Sequence, residues 1–271
     1  MRLGIIGGGT IARLLLQHIR AGDLGMVEVV AVVGRGDASR AKGLASEFDV
    51  PFVIGVEPLL ACRPEAVIEA ASHAAVHTFG PPLLGAGAAL IVLSAGALAD
   101  DVLRETLERA AAQHDTLLYV PSGGIGGLDA LKAACIAGVD EVTIAVTKPA
   151  QAWKGIPYVE RLGIDLDRLS APATLYEGPA RAGVPHFPAN VNIAAVLSLA
   201  GIGLDRTRLR AVADPRLVHN THYIDIRGKS GNISIKLENV PSSENPKTAL
   251  LACYSALAAV KAMQGRVRYG T

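Results

Sequence analysis

The stretch that most restricts what this chain can fold into is its first glycine turn. Leu3 to Ile6 form a short apolar run, and Gly7-Gly8-Gly9-Thr10-Ile11-Ala12 follows directly and opens a helical pattern through Ile19. A second apolar run, Val27 to Val33, comes at the distance expected of a βαβ unit. In Gly7-x-Gly9-x-x-Ala12, Gly7 permits a tight turn and Gly9 lets the backbone approach a pyrophosphate. Ala12 keeps the helix close on its strand, and Thr10, Ile11 and Ala12 carry N–H groups at the helix start, where phosphates bind. Glycine turns are common, so the pattern alone says little. Its place between a strand and a helix, at the head of an alternating half, selects a dinucleotide-binding unit over a purely structural turn.

The ribose end departs from the rule for NAD. An acidic residue is expected after the second strand, but the chain reads Val33-Gly34-Arg35-Gly36-Asp37. Arg35 either stacks on adenine or pairs with a 2′-phosphate, or it is a solvated loop residue. Asp37 is still at hand for ribose hydroxyls. The cofactor is therefore read as NAD or NADP.

The alternation continues through a polar helix at Ser39 to Phe48, strands at Phe52 to Ile54 and Ala66 to Ala70, and a helix near Ala75 to Gly85. Next come a strand at Ala89 to Leu93, a helix at Asp101 to His114 and a strand at Thr116 to Val120. Such alternation implies a parallel sheet covered on both faces. After Pro121 the pattern changes. A helix at Leu128 to Ala137 leads into Glu141 to Lys148, where Val142, Ile144 and Val146 alternate with polar positions. Leu209 to Ala213, Tyr223 to Arg227 and Ile233 to Leu237 read as further strands, the last two flanking the hairpin turn Gly228-Lys229-Ser230-Gly231. The expected fold is α/β: an N-terminal Rossmann domain (1–121), a second α+β domain with an open mixed sheet (122–245), and a C-terminal helix (246–271) packing back on the first domain.

Composition excludes several function classes. Half of the 271 residues are apolar, enough for one large or two medium cores, and a net charge of +1 with dispersed Lys and Arg argues against nucleic acid or an anionic membrane as partner. Cys62, Cys135 and Cys253 lie far apart, in odd number, so neither a disulfide framework nor a metal motif is expected. Met1 and Arg2 run straight into a strand with no signal-peptide pattern. The most apolar stretch, Leu83 to Ala99, is broken by glycines and short for a bilayer span. A cytoplasmic protein without a metal is the expectation.

From Ala70 onward a series of segments resembles the L-aspartate dehydrogenase family. They are Glu69-Ala70-Ala71-Ser72, Ser94-Ala95-Gly96-Ala97-Leu98-Ala99-Asp100, Pro121-Ser122-Gly123-Gly124-Ile125-Gly126-Gly127-Leu128-Asp129 and Lys148-Pro149. Phe187-Pro188-Ala189-Asn190-Val191-Asn192, Ala213-Asp214-Pro215, Asn220-Thr221-His222 and Pro241-Ser242-Ser243-Glu244-Asn245-Pro246-Lys247-Thr248 follow in the family's order. The resemblance implies NAD(P)-dependent oxidation of L-aspartate to iminosuccinate, which hydrolyses to oxaloacetate and ammonia or feeds NAD biosynthesis. It also implies a homodimer.

Hydride transfer from an amino-acid Cα needs the nicotinamide held against that carbon, donors for two carboxylates, and a group to manage the amine proton. The loops containing Ser72, Ser94 and Ala95 follow strands of the parallel sheet, where ligands bind. His222 matches the family's catalytic histidine, and free imidazole titrates near working pH. It is read as starting a strand whose same-face successors are Ile224 and Ile226. A backbone-satisfied histidine is the plain alternative, and His219, His73 and His186 are the competitors. Carry-over puts Gly124 and Asn190 in contact with the cofactor. Asn190 and Asn192 flank a helix start, where one caps the helix while the other faces a ligand; Asn192 is read equally as cap or substrate contact. Lys247 and Thr248, at the mouth of the last helix, are read as a carboxylate receptor, and Lys148 as a weaker one.

One departure from the family is visible. Relatives carry Ala-Arg-Glu-Ala before the Phe-Pro motif, where this chain has Ala180-Arg181-Ala182-Gly183. The competing readings are a related two-domain reductase, of the dihydrodipicolinate-reductase or homoserine-dehydrogenase type, and a non-catalytic NADP-binding redox sensor.

Overall fold

In a computed structural model, residues 1–188, 190–242 and 249–267 are described. The chain divides into two compact units, Met1–Pro121 with the last helix from Cys253, and the residues from Ser122 to Ala252.

The first unit alternates β1 (Arg2–Ile6), α1 (Thr10–Arg20), β2 (Glu28–Gly34), α2 (Arg40–Phe48), β3 (Phe52–Ile54) and α3 (Val56–Ala61). It continues with β4 (Ala66–Glu69), α4 (His73–Gly85), β5 (Ala89–Val92), α5 (Asp101–Gln113) and β6 (Leu118–Tyr119). The strands form one sheet of order β3-β2-β1-β4-β5-β6, all of whose pairs are parallel. The order reverses beside β1, which is where doubly wound sheets bind nucleotides. Both faces are covered, so β4 (Ala-Val-Ile-Glu) and β5 (Ala-Leu-Ile-Val) are buried at every position. Helix α5 is capped by Asp100, whose carboxylate accepts from the amides of Val102 and Leu103.

The second unit contains α6 (Leu128–Ala137), β7 (Val139–Pro149), α7 (Pro157–Arg161), β8 (Ala173–Pro179), α8 (Ala180–Gly183), α9 (Asn192–Ala200), β9 (Arg208–Asp214), β10 (Asn220–Gly228) and β11 (Gly231–Asn239). Its sheet has the order β11-β10-β7-β9-β8 and is mixed: β7 and β9 run parallel, and the other neighbours antiparallel. β8 is the strand that sequence reading missed. Its Ala-Thr-Leu-Tyr-Glu-Gly-Pro pairs only with β9, so edge position substitutes for the apolar alternation a central strand would need. The hairpin closes as expected, with Gly228 paired to Gly231 across Lys229-Ser230. One face of this sheet is apolar and buried, with Val142, Ile144 and Val146 of β7 and Ile224 and Ile226 of β10 on it.

The last helix, α10, spans Leu250–Gln264. Its Ala256, Leu257, Ala259 and Val260 join the core of the first unit with Leu3, Ile5, Leu15 and Leu24. Among the described residues no helix is long and apolar enough to cross a membrane.

Candidate active site

Two clusters carry the chemistry, one in each unit. In the first, Gly7 has φ +116° and a Cβ there would stand 2.5 Å from the Ala70 carbonyl oxygen. Only glycine makes this turn. Gly8 is equally constrained, because a Cβ would come within 2.3 Å of the Ala41 amide nitrogen. A Cβ at Gly9 would meet nothing within 4 Å, so this glycine keeps space open instead of filling a contact. Gly9 caps α1 without a side-chain bond, leaving the amides of the first turn to a ligand. Thr10 and Ile11 begin that helix, and Ala12 is fully buried beneath it.

These turns border a cleft of about 650 Å³, which runs past Gly34, Arg35, Ser39 and Arg40 to Ala71 and Ser72. Its lining residues include no carboxylate. Asp37 lies outside the lining residues, is exposed, and is ion-paired with Lys42 at 2.7 Å. The Ser39 hydroxyl is buried with no partner among the described residues. A dinucleotide fits the cleft, with basic and hydroxyl groups at its adenosine end.

At the carboxyl ends of β4 and β5, Glu69 organises both loops. It is fully buried, and its Oε1 accepts from the amides of Ala71 and Ser72 and the hydroxyl of Ser94, while Oε2 accepts from the Ser94 amide. The serine hydroxyls are already engaged: Ser94 binds Glu69, and Ser72 caps α4 by accepting from the Ala75 amide at 3.3 Å. Ala95 is buried beside them. Glu69 stands within a family motif, but the sequence showed only a charge at the end of an apolar run, not its four donors. His73, one of the competing histidines, is the first residue of α4.

The second cluster closes the apolar face of the mixed sheet. On β7 the buried row Val142, Ile144, Val146 ends at Lys148, and on β10 the row Ile226, Ile224 ends at His222 and Asn220. His222 is the third residue of β10, paired with Val146 on β7 and Leu237 on β11. It therefore sits inside a three-strand ladder, not at a strand start, because pairing continues through Thr221 and Asn220. It is 3% exposed, and its Nδ1 is buried with no partner among the described residues. Burial, reinforced by the nearby Lys148 charge, holds the imidazole down to about 3. That corrects the expectation of a histidine titrating near working pH: in the free protein it is neutral.

Lys148 is 4% exposed. Its Nζ donates to Asn190 Oδ1 at 3.0 Å and lies 5.5 Å from the Trp153 ring centre. Burial pulls its ammonium down to about 8. Its position at the end of a strand does not by itself reveal its burial or its proximity to His222. The Gly124 carbonyl accepts from Asn239 Nδ2 at 2.8 Å. The cap of α9 is Val191, with no side-chain cap bond, so neither Asn190 nor Asn192 caps it: Asn190 serves Lys148 and Asn192 is the first helical residue. Lys247 and Thr248 lie outside the described residues. Of the competing histidines, His186 stacks on Tyr158 at 4.0 Å and His219 is exposed. The departure at Ala182 falls on an exposed position of α8; at the neighbouring Gly183 a Cβ would stand 2.5 Å from the Tyr176 ring, so an alanine there needs that ring to shift. Among the described residues no group of His, Cys, Asp or Glu is arranged to hold a metal.

A doubly wound nucleotide-binding sheet joined to a mixed sheet with a buried His–Lys cluster defines a nicotinamide-nucleotide oxidoreductase. Residues 4–121 match the family described as homoserine dehydrogenase, NAD binding domain, and residues 129–263 match aspartate dehydrogenase, C-terminal. The chain is 42% identical to the L-aspartate dehydrogenase of Methanosarcina mazei, with 100% of each chain covered. It is 41% identical to L-aspartate dehydrogenase 2 of Bordetella bronchiseptica, with 99% of each covered. The crystal structure of the Thermotoga maritima aspartate dehydrogenase superposes with a TM-score of 0.74 at 27% identity, covering 100% of this chain and 99% of that one. The chain belongs to the L-aspartate dehydrogenase family.

Proposed function

We propose that this protein oxidises L-aspartate to iminosuccinate, which hydrolyses to oxaloacetate and ammonia. The observation that carries the reading is the pairing of a neutral buried imidazole with a buried ammonium on one sheet face, in a chain related over its full length to L-aspartate dehydrogenases. Bound NAD(P)+ supplies the acceptor for the hydride leaving the substrate Cα. The first turn of α1 and the glycines before it hold the pyrophosphate, while Arg35, Ser39 and Arg40 receive the adenosine end. That end, basic and free of lining carboxylates, supports NADP over NAD. Glu69 fixes the loops that carry Ser72, Ser94 and Ala95, and Gly124 and Asn190 remain cofactor contacts in this reading.

His222 Nδ1 takes a proton from the substrate ammonium, so that the nitrogen lone pair is free to form the imine as the hydride departs. A base must be unprotonated before it acts, and burial ensures that here. The developing imidazolium needs a compensating negative charge, which a dianionic substrate brings. Asn192, Lys247 and Thr248 are assigned to substrate, and a homodimer is part of the same proposal.

The reaction is tested by initial rates of NADPH and NADH formation at alkaline pH across a panel of L- and D-amino acids. Saturable turnover confined to L-aspartate is the expected result. A protein that binds the cofactor but leaves L-aspartate unoxidised overturns the proposal.

A further inference from the structure

A lysine ammonium buried to 4% exposure ordinarily sits against a carboxylate, because an unpaired buried charge is costly. Lys148 has none among the described residues. Its partners are an amide oxygen, Asn190 Oδ1 at 3.0 Å, and the face of Trp153 at 5.5 Å. Asp214, which follows the residue paired with Lys148 on β9, is bound to Arg216 through two contacts of 3.0 and 2.9 Å. The neighbouring imidazole on β10 is neutral and offers no negative charge. A second buried polar atom on the same face, His222 Nδ1, also lacks a partner among the described residues. The two close neighbouring apolar rows on adjacent strands of one sheet face, near enough for the Lys148 charge to act on the imidazole.

We propose that Lys148 is the receptor for the side-chain carboxylate of the substrate, held in place by Asn190, and that it thereby selects dicarboxylates. This deepens the reading of the site as an L-aspartate dehydrogenase and rests on it. A charge-assisted contact at a buried ammonium is short and strong, and an uncharged side chain at that position leaves the ammonium unpaired, so the site rejects neutral amino acids. The same contact couples binding to chemistry. The Lys148 charge is one of the causes that hold the His222 imidazole neutral, after burial itself. A carboxylate on Lys148 offsets that charge, and the imidazole becomes a stronger base only once substrate is in place. Asn190 Oδ1 is spent on Lys148, which leaves its amide hydrogens for other acceptors.

The test uses the full chain with saturating NADP+ and succinate, a dicarboxylate with no amine to oxidise. Trp153 is the single tryptophan, so its emission reports binding beside Lys148. We expect saturable binding by the wild type, weakened at least tenfold in Lys148→Met and in Lys148→Gln, with NADPH affinity within twofold of wild type in both. Methionine removes an unpaired buried charge at similar volume and should fold; glutamine serves as the second folded variant. Unchanged succinate affinity in both variants overturns the proposal, as does a wild type with no saturable response. A wild type that binds succinate through Lys148 yet leaves L-aspartate unoxidised keeps this site and overturns the reaction. A wild type that oxidises L-aspartate, with an unchanged KM in Lys148→Met, keeps the reaction and overturns this site.

Discussion

Glu69 accepts hydrogen bonds from both the amide and the hydroxyl of Ser94, at 3.0 and 2.9 Å, while also receiving the amides of Ala71 and Ser72. Every partner is used as a donor, so an acceptor-only carboxylate suits the position and an amide does not. Glu69→Gln sets an N–H against a backbone N–H in a fully buried place. It is expected to cost about 1–3 kcal/mol of stability and to weaken NADPH binding. Thermal unfolding and NADPH fluorescence titration check this; a variant matching wild type in both refutes the positioning role.

Gly8 and Gly9 are adjacent and should fail in opposite ways. An alanine Cβ at Gly8 collides with the backbone of Ala41, which cannot yield, so Gly8→Ala should lower Tm along with cofactor affinity. At Gly9 the Cβ enters open space, so Gly9→Ala should keep Tm and lose NADPH affinity alone. Equal loss of Tm in both variants would contradict the assignment of Gly9 to ligand clearance.

Much of the first unit was legible because its signals are local. The glycine turn, the alternation of apolar runs with amphipathic stretches, and buried β4 and β5 all follow from short-range pattern. β8 was not, since an edge strand needs only one ladder and little apolar alternation. In the second cluster, residue identity pointed to His222, but its protonation state depends on burial and on Lys148, which is 74 positions away in sequence yet on the adjacent strand, two residues beyond the Val146 that pairs with His222. Asp37 is an exposed acid whose type suits a ribose contact, and its ion pair to Lys42, five positions on, is not legible from residue type alone.

At the adenosine end, Arg35 lines a cleft without carboxylates. Arg35→Asp removes a partner for a 2′-phosphate and adds an acceptor for a 2′-hydroxyl. The ratio of kcat/KM for NADP over NAD should fall by at least tenfold. Direct Kd values for 2′,5′-ADP should move with it. An unchanged ratio removes Arg35 from cofactor selection.

His222→Ala should lower kcat by about 10²-fold or more while leaving NADPH affinity unaltered, the usual cost of losing a proton-transfer group. Because burial holds the free imidazole down to about 3, kcat/KM should show no break near 6.5 from this residue. A kcat within threefold of wild type would take His222 out of the mechanism.

Lys148 gives the protein a stability signature that is independent of turnover. Burial lowers its ammonium to about 8, against 10.5 for an exposed lysine. Below pH 8 both folded and unfolded chains carry the proton, and the folded state bears the whole cost of a buried charge. Between about 8 and 10.5 the unfolded chain keeps a proton that the folded chain has shed, so this residue's contribution to stability rises with pH, by roughly 3 kcal/mol in all. Lys148→Met abolishes that rise and should raise Tm at pH 7. Urea unfolding of both proteins from pH 7 to 10.5 measures the difference. Parallel curves would mean that the ammonium is already compensated in the folded chain.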